Sequence, residues 1–458
     1  KKNHVVRIYT AHFDEKRCFS ELAADGALGP EKVRVFGSWI PRTVLGRLHV
    51  VCAVLRMYYA SFILMLQTLF LGTVLATVFN SFGMQETASM LEDRYGIDVI
   101  FCDQVSHNIP ILRLCGRPIL FYCHYPDKLL CTDRSSLLKQ LYRRPIDWLE
   151  EFTTGMADVI VVNSEFTKDV FKQTFQTLSS KSAEISVLYP AIELEQFDTE
   201  LSQDQVKEAK RAFPLELKEK LKLIDEGESK AKCHFLLSIN RFERKKNLSL
   251  AVYALGVLLQ KQDYESVRKG KTVCLILAGG YDPRLEENVE YMKELKRLVL
   301  NLGLEKHVFF VPSFTDDQRV LLLQLCTCVV YTPDKEHFGI VPIEAMYAAR
   351  PVVAVASGGP LESIVHEETG FLQEQTPQAF AEALAKIIQD ETRAFKIGVS
   401  GRKHVAAKFS LDAFADQLDQ VCAKMANDAQ HKYGPTLFFF SLVVALIASL
   451  YIYMQAQQ

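Results

Sequence analysis

The chain has 458 residues, of which 49% are hydrophobic, 24% charged and 10% aromatic. At roughly 150 residues per domain this length predicts about three domains or two large ones. The apolar content suffices for sizeable cores, which excludes a disordered or low-complexity protein. Lys plus Arg total 53 against 55 for Asp plus Glu, a net charge of −2, so the basic excess of a dedicated nucleic-acid binder is missing. The 11 cysteines run from Cys18 to Cys422 without a CxxC pair. Cys326 and Cys328 sit too close together for a zinc knuckle and are placed on a buried strand. This usage fits a reducing cytosol better than a disulfide scaffold.

Residue 1 is Lys, and Lys1–His4 leads straight into the strand-like run Val5–Thr10. The chain is therefore expected to start inside a domain, with no signal peptide legible. Met57–Phe79 is an uncharged run preceded by Arg47, His49 and Arg56. Its length permits a span, but strands of one apparent domain flank it on both sides. A re-entrant or interfacial helix pair in contact with a membrane is the expectation.

Short β-branched or aromatic runs follow at Ile97–Gln104, Pro118–Tyr122 and Ala157–Asn163, with helical patterns at Leu137–Thr153 and Glu165–Phe175. A charged stretch over Glu200–Lys232 reads as a connector. Beyond it, strands are expected at His234–Ile239, Thr272–Leu277, Val308–Val311, Val329–Thr332 and Pro351–Val355. Helices are expected between them at Leu248–Gln260, Asn288–Leu302, Gln318–Leu325 and Ile340–Ala349. Such alternation predicts an α/β protein with two doubly wound, Rossmann-like domains, whose ligands bind at the carboxyl ends of the strands. The expected division is a first domain over 1–190, a connector over 191–232, and a second domain over 233–425. Leu437–Met454 is uncharged and just long enough to span a bilayer, with Tyr451 and Tyr453 at its end. Lys424 and Lys432 precede this segment and no basic residue follows it, so the positive-inside rule puts the body of the protein in the cytosol.

Two segments carry candidate chemistry. In Glu336-His337-Phe338-Gly339-Ile340-Val341-Pro342-Ile343-Glu344, two carboxylates bracket a glycine and the start of a helix, with Pro342 suited to a first turn. The helix N-terminus at Gly339 and Ile340 offers free N–H groups and a positive dipole end to a phosphate. Glu336 can accept hydrogen bonds from sugar hydroxyls, and Glu344 from a ribose. A helix cap plus a surface glutamate fits the same spacing. The second segment, Arg241-Phe242-Glu243-Arg244-Lys245-Lys246, places four cations at the end of a predicted strand. Arg241 and Lys246 suit a diphosphate clamp, although such clusters are also ordinary solvated surface.

These residues resemble the retaining glycosyltransferases of family 4, which have the GT-B fold. Their E-x7-E motif matches Glu336 and Glu344, and their Arg…Lys pair matches Arg241 and Lys246. Ala278-Gly279-Gly280 and Ser357-Gly358-Gly359-Pro360 continue the match, which covers nearly all of 1–425. Phe121–Asp127, Ile146–Glu151 and Ser238–Asn247 are similar to family members of the dolichol pathway.

The resemblance implies two Rossmann-like domains facing a cleft, GDP-mannose as donor, and a dolichyl-diphosphate oligosaccharide in the endoplasmic reticulum membrane as acceptor. It also implies other early transferases of that pathway as partners. Arg241 and Lys246 would hold the pyrophosphate, Glu336 would face the mannose and Glu344 the ribose. His124 would lie near the reacting sugar, although a histidine after a strand is more often structural. No Asp-x-Asp occurs, so no metal or other cofactor is expected, and basic side chains with a helix dipole would neutralise the leaving group. The family's first strand and glycine-rich loop are expected ahead of Lys1, and Met57–Arg94 looks extended against the family pattern. Two other readings stay open: a related transferase with another donor or acceptor, and an inactive subunit of the same pathway.

Overall fold

The computed structural model describes residues 4–428 apart from 15–21, 23–28, 30–31, 44–48, 131–136, 181–184, 193, 195–196, 199–200, 212, 216, 220–232 and 262. The segment 437–454 and much of the charged connector lie outside the described residues. The chain divides into two compact units. The first comprises residues 1–163, 167–188 and 415–458, the second residues 164–166 and 189–414. The second unit thus ends at Phe414, short of the expected 425, and the chain then rejoins the first unit, where His4 Nε2 meets Asp419 Oδ1 at 2.8 Å.

The first unit opens with a parallel pair, β1 (Ile8–Thr10) and β2 (Val33–Val35). Helix α1 (His49–Leu66) continues through a π-helical stretch (Gln67–Leu75) into α2 (Ala76–Ser81). The expected helix pair is therefore one continuous rod, since Leu66, Leu75 and Ala76 at the junctions are all right-handed helical. Every residue from 49 to 81 is helical. Gly72 instead serves close packing, because a Cβ there would lie 2.9 Å from the Tyr95 carbonyl at the end of α3 (Gln85–Tyr95). The reversal comes at Gly83, whose φ of 79° closes the helix in the manner of a C-terminal glycine cap.

Four parallel strands follow in sequential order: β3 (Ile100–Asp103), β4 (Ile119–Cys123), β5 (Val159–Val162) and β6 (Ile185–Val187). All five residues of β4 are buried, as expected for a strand covered on both faces. Helix α4 (Leu137–Thr154) joins β4 to β5, and α5 (Glu165–Thr174) follows β5.

In the second unit, β7 (Cys233–Ile239), β8 (Thr272–Gly279) and β9 (Val308–Pro312) run to one side of a six-stranded parallel sheet. The strands β10 (Cys328–Tyr331), β11 (Val352–Val355) and β12 (Phe371–Gln373) run to the other, in the order β12-β11-β10-β7-β8-β9. The connecting helices are α6 (Leu248–Leu259), α7 (Glu286–Asn301), α8 (Asp316–Leu325), α9 (Ile340–Tyr347), α10 (Pro377–Gln389) and α11 (Glu391–Lys408). This is the doubly wound order, and its switch point lies between β7 and β10. Cys328 is on β10 as expected. Cys326 caps α8 instead.

Candidate active site

The carboxyl ends of β7 and β10 flank the switch point, and both candidate segments emerge there. After β7 the chain forms a 3-10 turn, Arg244–Lys246, and Thr332 Oγ1, just past β10, donates to the Lys246 carbonyl at 2.7 Å. That bond ties the two strand ends together. Lys246 Nζ lies 2.6 Å from Glu336 Oε1, with the lysine 11% and the glutamate 26% exposed. Tyr331 on β10 donates its hydroxyl to Glu336 Oε2 at 3.4 Å. Burial, with Glu336 adding to it, pushes the Tyr331 hydroxyl well above its ordinary pKa, so it stays a donor.

The loop holding Glu336 is supported from behind. Gly359 N–H donates to the Glu336 carbonyl at 2.8 Å. A Cβ on Gly359 would stand 2.0 Å from the Phe338 carbonyl oxygen, and one on Gly358 (φ 60°) 2.4 Å from that of Glu336. Only backbone fits between these loops. Gly339 (φ 84°) caps α9 over the Tyr331 ring, and Ile340 is 49% exposed. The N–H groups of Ile340 and Val341 have no partner within the helix, and Pro342 has none to offer, which leaves a small positive seat.

Glu344 lies one turn deeper and is 3% exposed. Its Oε1 accepts from Arg319 on α8, while Oε2 has no hydrogen-bond partner among the described residues. Burial raises its carboxyl pKa, and Arg319 offsets part of that rise. Arg319 escaped the sequence reading because nothing in the spacing ties it to Glu344; in the structure its helix opens on a capping box, Thr315…Gln318. Arg241, expected to share the clamp, pairs instead with Glu243 at 2.9 Å and is 61% exposed. Its side chain runs along Gly280, where a Cβ would stand 3.3 Å from Arg241 Cγ.

His124 belongs to the first unit, at the carboxyl end of β4. Its Nε2 lies 2.8 Å from Asp103 Oδ1, its ring meets Tyr122 edge-on at 4.7 Å, and its backbone N–H donates to Gln104 Oε1 at 2.9 Å. Half-exposed and held by a carboxylate, it is a well-oriented imidazole. Among the described residues no group of three or more His, Cys, Asp or Glu is arranged to hold a metal ion.

Two α/β units, each built on a parallel sheet, are the architecture of a GT-B glycosyltransferase. The comparisons agree. "Glycosyl transferases group 1" matches residues 219–404 and "Glycosyltransferase Family 4" residues 74–196. Solved structures similar in fold include Anabaena HepE in complex with UDP (TM-score 0.54, 19% identity, 74% of this chain and 81% of that one). Another is the sucrose-phosphate synthase of Thermosynechococcus elongatus (TM-score 0.51, 22% identity, 74% and 76%).

Alpha-1,3/1,6-mannosyltransferase ALG2 of Mus musculus is 45% identical over 92% of this chain and 89% of its own length. The Homo sapiens enzyme of that name is 46% identical over 92% and 88%, and the Dictyostelium discoideum one 40% over 92% and 91%. The chain belongs to this family of mannosyltransferases.

Proposed function

We propose that the chain transfers mannose, with retention, from GDP-mannose to a dolichyl-diphosphate-linked oligosaccharide, first in α-1,3 and then in α-1,6 linkage. The observation that carries the reading is the Lys246–Glu336 pair at the switch point. Lys246 and the α9 N-terminus at Gly339 and Ile340 meet the diphosphate and stabilise the charge that builds on the departing GDP. On donor binding the ammonium turns from Glu336 to phosphate, which frees Glu336 to accept from mannose hydroxyls. Glu344 is assigned to the ribose through Oε2, the oxygen that Arg319 leaves unused. Arg241, exposed and already ion-paired, adds a weaker contact to the diphosphate, and His124 acts near the reacting sugar.

The body of the enzyme is assigned to the cytosolic face of the endoplasmic reticulum membrane, where other early transferases of the same assembly pathway are its neighbours. Among the described residues one helix, Val51–Ser81, is long and apolar enough to cross a membrane. A polyprenol costs roughly 0.8 kcal/mol per CH₂ to pull into water, so an enzyme acting on it works at the bilayer. The direct test incubates the chain with GDP-mannose and a lipid-linked monomannosyl chitobiose and analyses the products. Sequential gain of an α-1,3 and an α-1,6 mannose supports the proposal; transfer from another nucleotide sugar in preference to GDP-mannose contradicts it.

A further inference from the structure

Among the described residues, nothing covers one face of helix α4. Leu141, Pro145, Trp148 and Phe152 recur along that face, and all four are exposed: Leu141 by 68%, Trp148 by 65% and Phe152 by 53%. The Trp148 and Phe152 rings stack with centroids 5.4 Å apart. The short helix Asp127–Leu130 packs on α4 and adds Leu129 and Leu130, 41% and 56% exposed.

Charge on α4 is sorted by side. Arg144 is the one charged residue among the described exposed positions of the helix. The acids are turned inward. Asp147 meets Arg143 at 3.2 Å, and Glu150 accepts from the backbone N–H groups of Asp127 and Lys128 at 2.7 and 2.9 Å. Glu151 lies 3.7 Å from Lys128.

We propose that this face of α4 lies on the surface of a phospholipid bilayer with anionic headgroups, Trp148 and Phe152 at the headgroup–acyl boundary and Arg144 against phosphate. An apolar stripe with tryptophan, a cation and no acid has the composition of an interfacial helix. The apolar rod belongs to the same unit. Leu55, Phe62, Leu66 and Phe70 make a second exposed apolar row on Val51–Ser81. The loop before the short helix Ile109–Arg113 is bonded to both helices. Asn108 Nδ2 donates to Ser61 Oγ at 2.9 Å, and Ser106 Oγ donates to the Glu150 carbonyl at 3.1 Å. The inference rests on the proposal that the acceptor is a bilayer lipid; the face would hold the first unit flat against the surface from which that lipid is drawn.

The test uses the full chain carrying Trp39→Phe, which leaves Trp148 as its only tryptophan. The protein is reconstituted into phosphatidylcholine–phosphatidylserine vesicles, with or without bromine on the acyl carbons nearest the headgroup. Bromine is expected to quench Trp148. Unquenched emission from vesicle-bound protein overturns the inference, whether protein or water then covers the face. As an independent arm, Phe152→Asp should lower transfer to an acceptor held in vesicles about tenfold, the loss of roughly one buried aromatic ring. Transfer to the same acceptor in detergent should be unchanged; equal loss in both media overturns the inference. Absence of transfer by the unsubstituted chain in either medium sinks the functional proposal instead, and leaves the quenching result standing on its own.

Discussion

The loop at Glu336 and the helix turn at Glu344 belong to one short motif, yet they put the same side chain to opposite uses. Glu336 is a quarter exposed, and its cationic partner, Lys246, comes from the end of another strand. Glu344 is sealed against Arg319, with its pKa raised by burial. Losing Glu336 removes a group from the edge of the sheet, where water can replace it. Disturbing Glu344 leaves a charge in the interior. The contrast teaches that a motif's spacing marks where a site is, while burial separates the member proposed to meet the transferring sugar from the one proposed to hold the ribose from within the wall.

The comparison can be broken most forcefully at Arg319. Arg319→Ala strands the buried Glu344 carboxylate and should cost about 3–5 kcal/mol of stability, read as a large fall in Tm. Adding Glu344→Leu to Arg319→Met should recover most of it. An unchanged Tm for the single variant would mean that Glu344 is not a buried charge.

Next in size is Lys246→Ala. Losing one charge-assisted contact of about 1.5–3 kcal/mol should weaken GDP binding by roughly 10- to 150-fold in calorimetry, with little change in Tm.

A third carboxyl sharpens the rule in the other unit. Burial first, then the Asp127 charge, push Glu150 up to about 7. A carboxyl whose folded pKa lies above its unfolded value contributes stability below the unfolded pKa and loses it as pH rises through the folded one. Tm should therefore fall as pH rises from 4.5 to about 7, and Glu150→Gln should flatten that slope.

The smallest effect belongs to Arg241. Its side chain is exposed although that of its partner Glu243 is largely buried, so Arg241→Ala should cost at most about 1 kcal/mol in GDP affinity. A loss as large as that of Lys246→Ala would restore the two-cation clamp.

Much of the second unit was legible because its strands are buried on both faces and read as continuous apolar runs. β7, for example, begins at Cys233, one residue before the expected strand, and all seven of its residues are buried. The strand β12 escaped because three residues carry no period. Helices α10 and α11 also went unread, although Thr376 and Asp390 cap them through side chains that accept from Ala379 and Arg393 N–H at 3.3 and 2.9 Å. Those caps were visible in the sequence. At the candidate site, the placing of Lys246, Glu336 and the α9 N-terminus beside strand ends was legible from composition. Arg319, Tyr331 and the pairing of Arg241 with Glu243 were not, because each depends on which side chain the fold turns inward.

The central claim is that Glu336 serves the transferring sugar while Lys246 serves the diphosphate, and the most direct measurement is the turnover of Glu336→Gln set beside its affinity for GDP. The amide keeps the shape but loses the charge that should strengthen its contact with mannose in the oxocarbenium-like transition state. The account predicts a kcat lower by on the order of a hundredfold for both additions. GDP affinity should be unchanged or tighter, because Lys246 is released from its counter-ion, whereas Glu344→Gln should mainly raise KM for GDP-mannose. Normal turnover by a folded Glu336→Gln enzyme, or loss of GDP binding in step with kcat, would contradict it.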